Sequence, residues 1–193
     1  MNPAPPTLQW PVPCREDPTA RTPSFVATAP TVCLGRDLLQ ALETHAGQTG
    51  KNVRFCLHPD AASSLQEMII LQHAGRYFPP KQHPHKAKSF KVLAGELAVF
   101  VFTAEGEVRE AHRLTPDNSL VCRVGPGIYH ADISLTPTAI HLETTTGPFH
   151  RESDRIVASW APAGQDEAGC HRFRDRLLRH LSTAEGGASC ISS

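Results

Sequence analysis

Between residues 53 and 146 the chain is a succession of short apolar runs cut by turn residues, and this rhythm limits the fold more than any other feature. The runs are VRFCLH, EMIILQHA, SFKVLAGELAVFVF, VREAHRL, SLVCRV, HADISL and TAIHLETTT. Between them sit PDAAS, PPKQHP, AEGE, TPDN, GPG and LTPT. Strands this short, at such regular spacing, predict an all-β barrel or sandwich. VFVFTAEGEVREAH predicts a hairpin turning at Glu105-Gly106.

The flanks differ. Seven of the chain's 17 prolines precede residue 24. Proline removes backbone donors and helical angles, so residues 1–30 are expected to be a proline-rich arm, extended or disordered unless Trp10 and Val12 tie it to the core. Within 31–50, LGRDLLQALETHA places Leu34, Leu38, Leu42 and His45 on one helical face, with Gly47 as the stop. A barrel is expected over 51–163. In the last segment, 164–193, Phe173, Leu177 and Leu181 share a helical face flanked by Leu178, and Arg172, Arg176 and Arg179 lie opposite. That predicts a docking helix with a solvated basic face, followed by a flexible tail, AEGGASCISS.

Lysine plus arginine equals aspartate plus glutamate, 19 each, so the formal net charge is zero. This gives no reason to expect nucleic acid or an acidic membrane as partner. No apolar run approaches the ~18 residues of a membrane span, and MNPAPPTLQWPVPC has neither the basic nor the apolar region of a secretory signal. Six scattered cysteines, none paired as CxxC, fit a reducing compartment. A cytoplasmic protein is the expectation.

The stretch GRYFPPKQHPHKAKSFKVLAGEL, residues 75–97, carries the chemistry. In a strand, residues two apart face the same side, ~6.6 Å from each other, so an extended segment projects Lys81 and His83 together. β-barrels use such pairs of histidines to converge on one metal ion. His83 offers one nitrogen, and His130, in GPGIYH, offers another. Lys81 and Lys88 offer none while protonated. His85, His141 or Glu143 are the possible helpers, the last two alternating with Ile140 and Leu142 so that both can point inward. Two readings of Lys81 and Lys88 stand side by side. Either they face inward, where Glu143 and a small anion pair with them, or their ammonium groups reach solvent along the rim. Lys86 and Lys91 are expected to reach solvent. Tyr129 beside His130 suggests an acid next to a base, or simply barrel packing.

At these residues the chain resembles the cupin superfamily. Its first motif is a glycine, five residues, His-x-His, four residues, a glutamate, six residues and a glycine. It maps onto Gly75, Lys81, His83, Lys88 and Gly95 with every spacing kept, the first histidine and the glutamate both being lysine. The second motif maps onto GPGIYH, keeping Gly127 and His130, with Gly125 at the proline position and Ser134 at the later asparagine position. NVRFCLHPD, VLAGELAVFVFTAEGEV, GPGIYHADISL, HLETTTGPF and ASWAPA, within residues 32–163, look like the WbuC-type cupin-fold metalloproteins in order and spacing.

The resemblance implies an antiparallel β-barrel (double-stranded β-helix or jelly roll) with a flanking helix at either end. It also implies a divalent metal (Zn, Ni, Fe or Mn) bound weakly or not at all, because only His83 and His130 survive of its ligand set. The expected function is a small cytoplasmic cupin binding a small molecule, anionic or sugar-like, through Lys81, Lys88, His141 and Glu143, and assembling as a homodimer. One rival is an enzyme: metal-dependent, or like the metal-free sugar-nucleotide epimerases, with His83 or His130 and Tyr129 as base and acid. The other is a non-catalytic sensor or dimerisation module.

Overall fold

The computed structural model describes residues 9–188. Twelve strands and two helices follow in the order β1 (Cys14–Glu16), β2 (Ser24–Ala27), α1 (Arg36–Thr49), β3 (Val53–Cys56), β4 (Leu65–His73), β5 (Lys81–Gln82), β6 (Lys88–Ala94), β7 (Leu97–Phe102), β8 (Val108–Leu114), β9 (Val121–Val124), β10 (Tyr129–Ser134), β11 (Thr138–Thr146), β12 (Ile156–Val157) and α2 (Glu167–Ala188). One sheet has the order β1-β2-β3-β4-β11-β6-β9, and the other β12-β5-β10-β7-β8.

Eight of these strands close the barrel. β4-β11-β6-β9 and β5-β10-β7-β8 are antiparallel foursomes in which the chain passes from one sheet to the other, the double Greek key of a jelly roll. The fold is therefore the antiparallel double-stranded β-helix of a cupin barrel, with a helix at either end of the chain. Gly95 divides the single run read over 89–102 into β6 and β7. It has φ 71°, and a Cβ there would lie 2.4 Å from the Thr138 carbonyl oxygen. The hairpin turn closes through Thr103 N–H to Glu107 O at 2.9 Å, with Gly106 at φ 95°.

Three apolar clusters explain the composition of the strands. Inside the barrel, Phe90, Val92, Leu97, Val99, Leu114, Val124 and Ala139 pack together. On the outer face of the second sheet, Ala98, Phe100, Phe102, Ala131 and Ile133 meet Phe173, Leu177 and Leu181 of α2. β7 is thus covered on both faces, which is why LAVFVF is apolar without alternation. On the outer face of the first sheet, Leu38, Leu42 and Ala46 of α1 pack on Val53, Phe55, Ile69, Leu71 and Ile140.

Three boundaries differ from the sequence expectations. α1 runs through Gly47 and stops at Gly50, whose φ of 64° makes the left-handed cap, its N–H bonded to Ala46 O at 2.7 Å. The proline-rich arm lies against the core from Trp10 onward. Trp10 packs, tilted, on Phe25 with ring centroids 4.3 Å apart and near Phe55 at 5.5 Å, and β1 and β2 extend the first sheet through a parallel β2–β3 pair. α2 continues into the segment expected to be a flexible tail, as far as Ala188. Residues 1–8 of the arm and 189–193 of the tail lie outside the described residues. Cys14, Cys33, Cys56, Cys122 and Cys170 are free thiols. Among the described residues no helix is long and apolar enough to cross a membrane.

Candidate functional site

β10 alternates strictly. Tyr129, Ala131 and Ile133 face the cluster under α2, so His130, Asp132 and Ser134 face the barrel interior. β11 does the same, with Ile140 and Leu142 outward and Ala139, His141 and Glu143 inward. β6 contributes Lys88, Phe90 and Val92 on its inner face. β5 is two residues long, yet it fixes Lys81 directly opposite His130 on one side and Val157 on the other. Four strands thereby bring Lys81, Lys88, His130, Asp132, His141 and Glu143 into one end of the barrel, with His83 just beyond β5.

The side chains there are tightly placed. Lys88 Nζ lies 2.9 Å from the Glu143 carboxylate, the two side chains being 7% and 12% exposed. The His83 and His130 rings are 5.7 Å apart, and Phe90 packs against His130 at 6.1 Å and His141 at 6.0 Å. Each of the paired histidines is anchored by a carbonyl. Nδ1 of His83 donates to Asp154 O at 2.6 Å, and Nδ1 of His130 donates to Ile128 O at 3.0 Å. A carbonyl only accepts, so the Nδ1–H tautomer is fixed and Nε2 carries a lone pair. Nε2 of both rings, and Nδ1 of His141, are buried with no hydrogen-bond partner among the described residues. Lys81 makes no hydrogen bond and no ion pair within 4 Å among the described residues, whereas Lys86 has Asp154 at 2.6 Å and Lys88 has Glu143.

Burial sets the charge states. It pushes the imidazoles of His83 and His130 down to about 4, and the Lys88 charge adds to this at both. His141 is lowered by burial as well. Burial also pushes the Lys81 ammonium below the usual lysine value, with the Lys88 charge next in importance. At Glu143 burial acts upward, but the Lys88 and Lys81 charges and the Lys88 hydrogen bond outweigh it and hold the carboxyl at about 2. The interior thus combines neutral imidazoles, the Lys88–Glu143 ion pair, and a Lys81 ammonium that has no ion pair within 4 Å among the described residues but feels the Asp132 and Glu143 charges.

A divalent ion does not fit this donor set well. Glu143 is committed to Lys88, and among the described residues no three His, Cys, Asp or Glu side chains gather to hold a metal. His83 and His130 would supply two nitrogens beside two cationic chains.

Of the residues singled out in the sequence, Lys81, His83, Lys88, His130, His141 and Glu143 come together. Tyr129 and His85 do not join them. The Tyr129 ring packs on Trp160 at 5.8 Å, on the opposite face of β10 from His130, and His85 is exposed. Lys86 is held rather than solvated: its ammonium reaches Asp154 and the Pro148 carbonyl. Asp132 and Asp154 were missed. Asp132 could have been found from alternation with His130. Asp154 could not, because it arrives from a strap between β11 and β12.

A family model described as "Domain of unknown function (DUF6016)" matches residues 34–114. No curated protein matches the chain. Among solved structures, the capsular polysaccharide assembling protein CapF from Staphylococcus aureus is 14% identical over 55% of this chain, with a TM-score of 0.47. The matched part is 31% of CapF, so the chain spans about a third of that protein's length. An uncharacterised conserved protein with a double-stranded β-helix domain from Klebsiella pneumoniae is 15% identical over 57% of this chain and 81% of its own, with a TM-score of 0.44. Oxalate decarboxylase from Bacillus subtilis is 14% identical over 50% of this chain and 24% of its own, with a TM-score of 0.42. Likenesses of this size bear on neither ligand nor activity.

Proposed function

We propose that this cupin-fold protein binds a small anionic molecule at the barrel end, on the Lys81 ammonium. The observation that supports this reading is the pairing pattern of the lysines. Lys86 and Lys88 each have a carboxylate, while Lys81, on an inward register position opposite His130, has none within 4 Å among the described residues. A cation beside buried walls attracts an anion strongly, because the surrounding protein screens it less than water does. The motif order over residues 32–163 supports a place among the WbuC-type cupins, with the first metal strand altered at Lys81 and Lys88. Cytoplasmic residence and a two-fold homodimer belong to the same reading, which includes neither nucleic acid nor membrane as partner.

Calorimetric titration of the full chain with acetate, propionate and inorganic phosphate tests the anion site. At least one should bind, and Lys81→Met should weaken it tenfold or more, while Lys91→Met, on the exposed outer face of β6, should leave it unchanged. Equal binding by the Lys81 variant would overturn the reading.

A further inference from the structure

The anion site has neighbours that restrict what else the ligand carries. His83 and His130 both spend Nδ1–H on backbone carbonyls, at 2.6 and 3.0 Å. In the neutral rings their buried Nε2 atoms are therefore acceptors, and neither has a partner among the described residues. His130 is 1% exposed and stands opposite Lys81, and its ring lies 5.7 Å from that of His83. A simple carboxylate would satisfy Lys81 and leave both lone pairs buried and unpaired, which is unfavourable. A carboxylate oxygen turned toward them would be worse, since acceptor would face acceptor. The complementary groups for two neutral imidazole lone pairs are hydroxyl hydrogens.

Resting on the anion reading above, we infer that the ligand is a hydroxy acid, its carboxylate on Lys81 and its hydroxyl hydrogens donated to Nε2 of His83 and His130. The class includes short polyhydroxy acids such as sugar acids. Anions with no hydroxyl hydrogen to donate, such as unsubstituted carboxylates, should be held by Lys81 alone and bind more weakly. Binding proceeds without any covalent step.

Three molecules on one three-carbon skeleton separate the contributions: glycerate, propionate and glycerol. Each is titrated into the full chain, freed of metal by a chelator, at neutral pH. Glycerate should bind at least tenfold tighter than propionate or glycerol. The ring 15N signals of His83 and His130 should move with glycerate and stay still with propionate. His83→Phe should bring glycerate down toward propionate. The wild-type series and the nitrogen signals need no variant, so a misfolded substitution does not blur the result. If glycerate and propionate bind equally and both depend on Lys81, the hydroxyl inference is overturned and the anion site stands. If glycerol binds as tightly as glycerate, the anion site falls and takes this inference with it. If none binds, both are overturned.

Discussion

The ammonium of Lys88 and the carboxylate of Glu143 meet at 2.9 Å inside the barrel, on neighbouring antiparallel strands. The sequence resemblance maps this lysine onto an acidic-ligand position, and it engages Glu143, one of the two roles the sequence suggests for that carboxylate. The pair closes a charge inside an apolar layer of Phe90, Val92 and Val124. The two members thus stabilise one another mainly by sparing each the cost of being buried alone.

That relationship predicts a pattern of stabilities. Lys88→Met should cost about 3–5 kcal/mol, because it leaves a buried carboxylate without its partner. Lys88→Met combined with Glu143→Gln should recover most of the loss, since the uncompensated charge is gone. Urea unfolding of the three proteins measures this. Equal destabilisation by the single and double substitutions would show that packing, not charge, sets the cost.

The pair also predicts metal behaviour. Lys81→His with Lys88→Glu removes both ammonium groups, frees Glu143 and places a third imidazole opposite His130. Zinc affinity, read by titration calorimetry, should rise at least tenfold over the natural chain, about 1.4 kcal/mol. If the natural chain already binds one zinc tightly and the variant gains nothing, the altered-site reading is wrong.

The buried histidines predict a pH dependence. Folding holds His83 and His130 at about 4, against 6.5 for a free imidazole. Below pH 6.5 the unfolded chain therefore takes up protons that the folded chain refuses, and stability falls as pH drops from about 6.5 to 4. Around these rings stand Lys81, Lys88, Asp132, His141 and Glu143. Glu143, held at about 2, adds its own loss only between about 4.5 and 2. His83→Phe should flatten the upper part of this slope in thermal melts at a series of pH values. An unchanged slope would refute the assignment.

The strap after β11 predicts a local opening. It is held to the barrel by the Asp154 ion pair with Lys86, by His83 on Asp154 O, and by the two-residue β5–β12 pairing. Asp154→Asn should loosen it without loosening the barrel. Hydrogen exchange at residues 150–158 should quicken several-fold while β7 and β10 stay protected. Uniform acceleration across both regions would count against a separate strap.

A backbone prediction concerns Gly95. With φ 71° and the Thr138 carbonyl oxygen and Thr136 hydroxyl crowding its missing side chain, Gly95→Ala should destabilise by roughly 1–3 kcal/mol or more. Thermal unfolding checks it. A neutral effect would mean the turn between β6 and β7 can relax.

The rhythm of short apolar runs and turns was enough to predict the barrel and several of its inner groups. Period-two alternation ties each inward residue to its neighbours two places away, so His141 and Glu143 could be assigned to one face from spacing, the motif resemblance put His83 and His130 at the same site, and the apolar stripes of α1 and α2 could be paired with a sheet. Tertiary structure alone decided the partners. Which lysine met Glu143, and that Lys81 has no carboxylate within 4 Å among the described residues, depended on the register between β6 and β11 and between β5 and β10. Register across strands distant in the chain is set by packing, not by local pattern. The same holds for the strap that brought Asp154 to His83 and Lys86. It holds too for Trp10, whose contact with Phe25 and Phe55 tied down an arm that composition alone suggested was loose, because burial of an indole on a ready apolar face outweighs the disorder that proline favours.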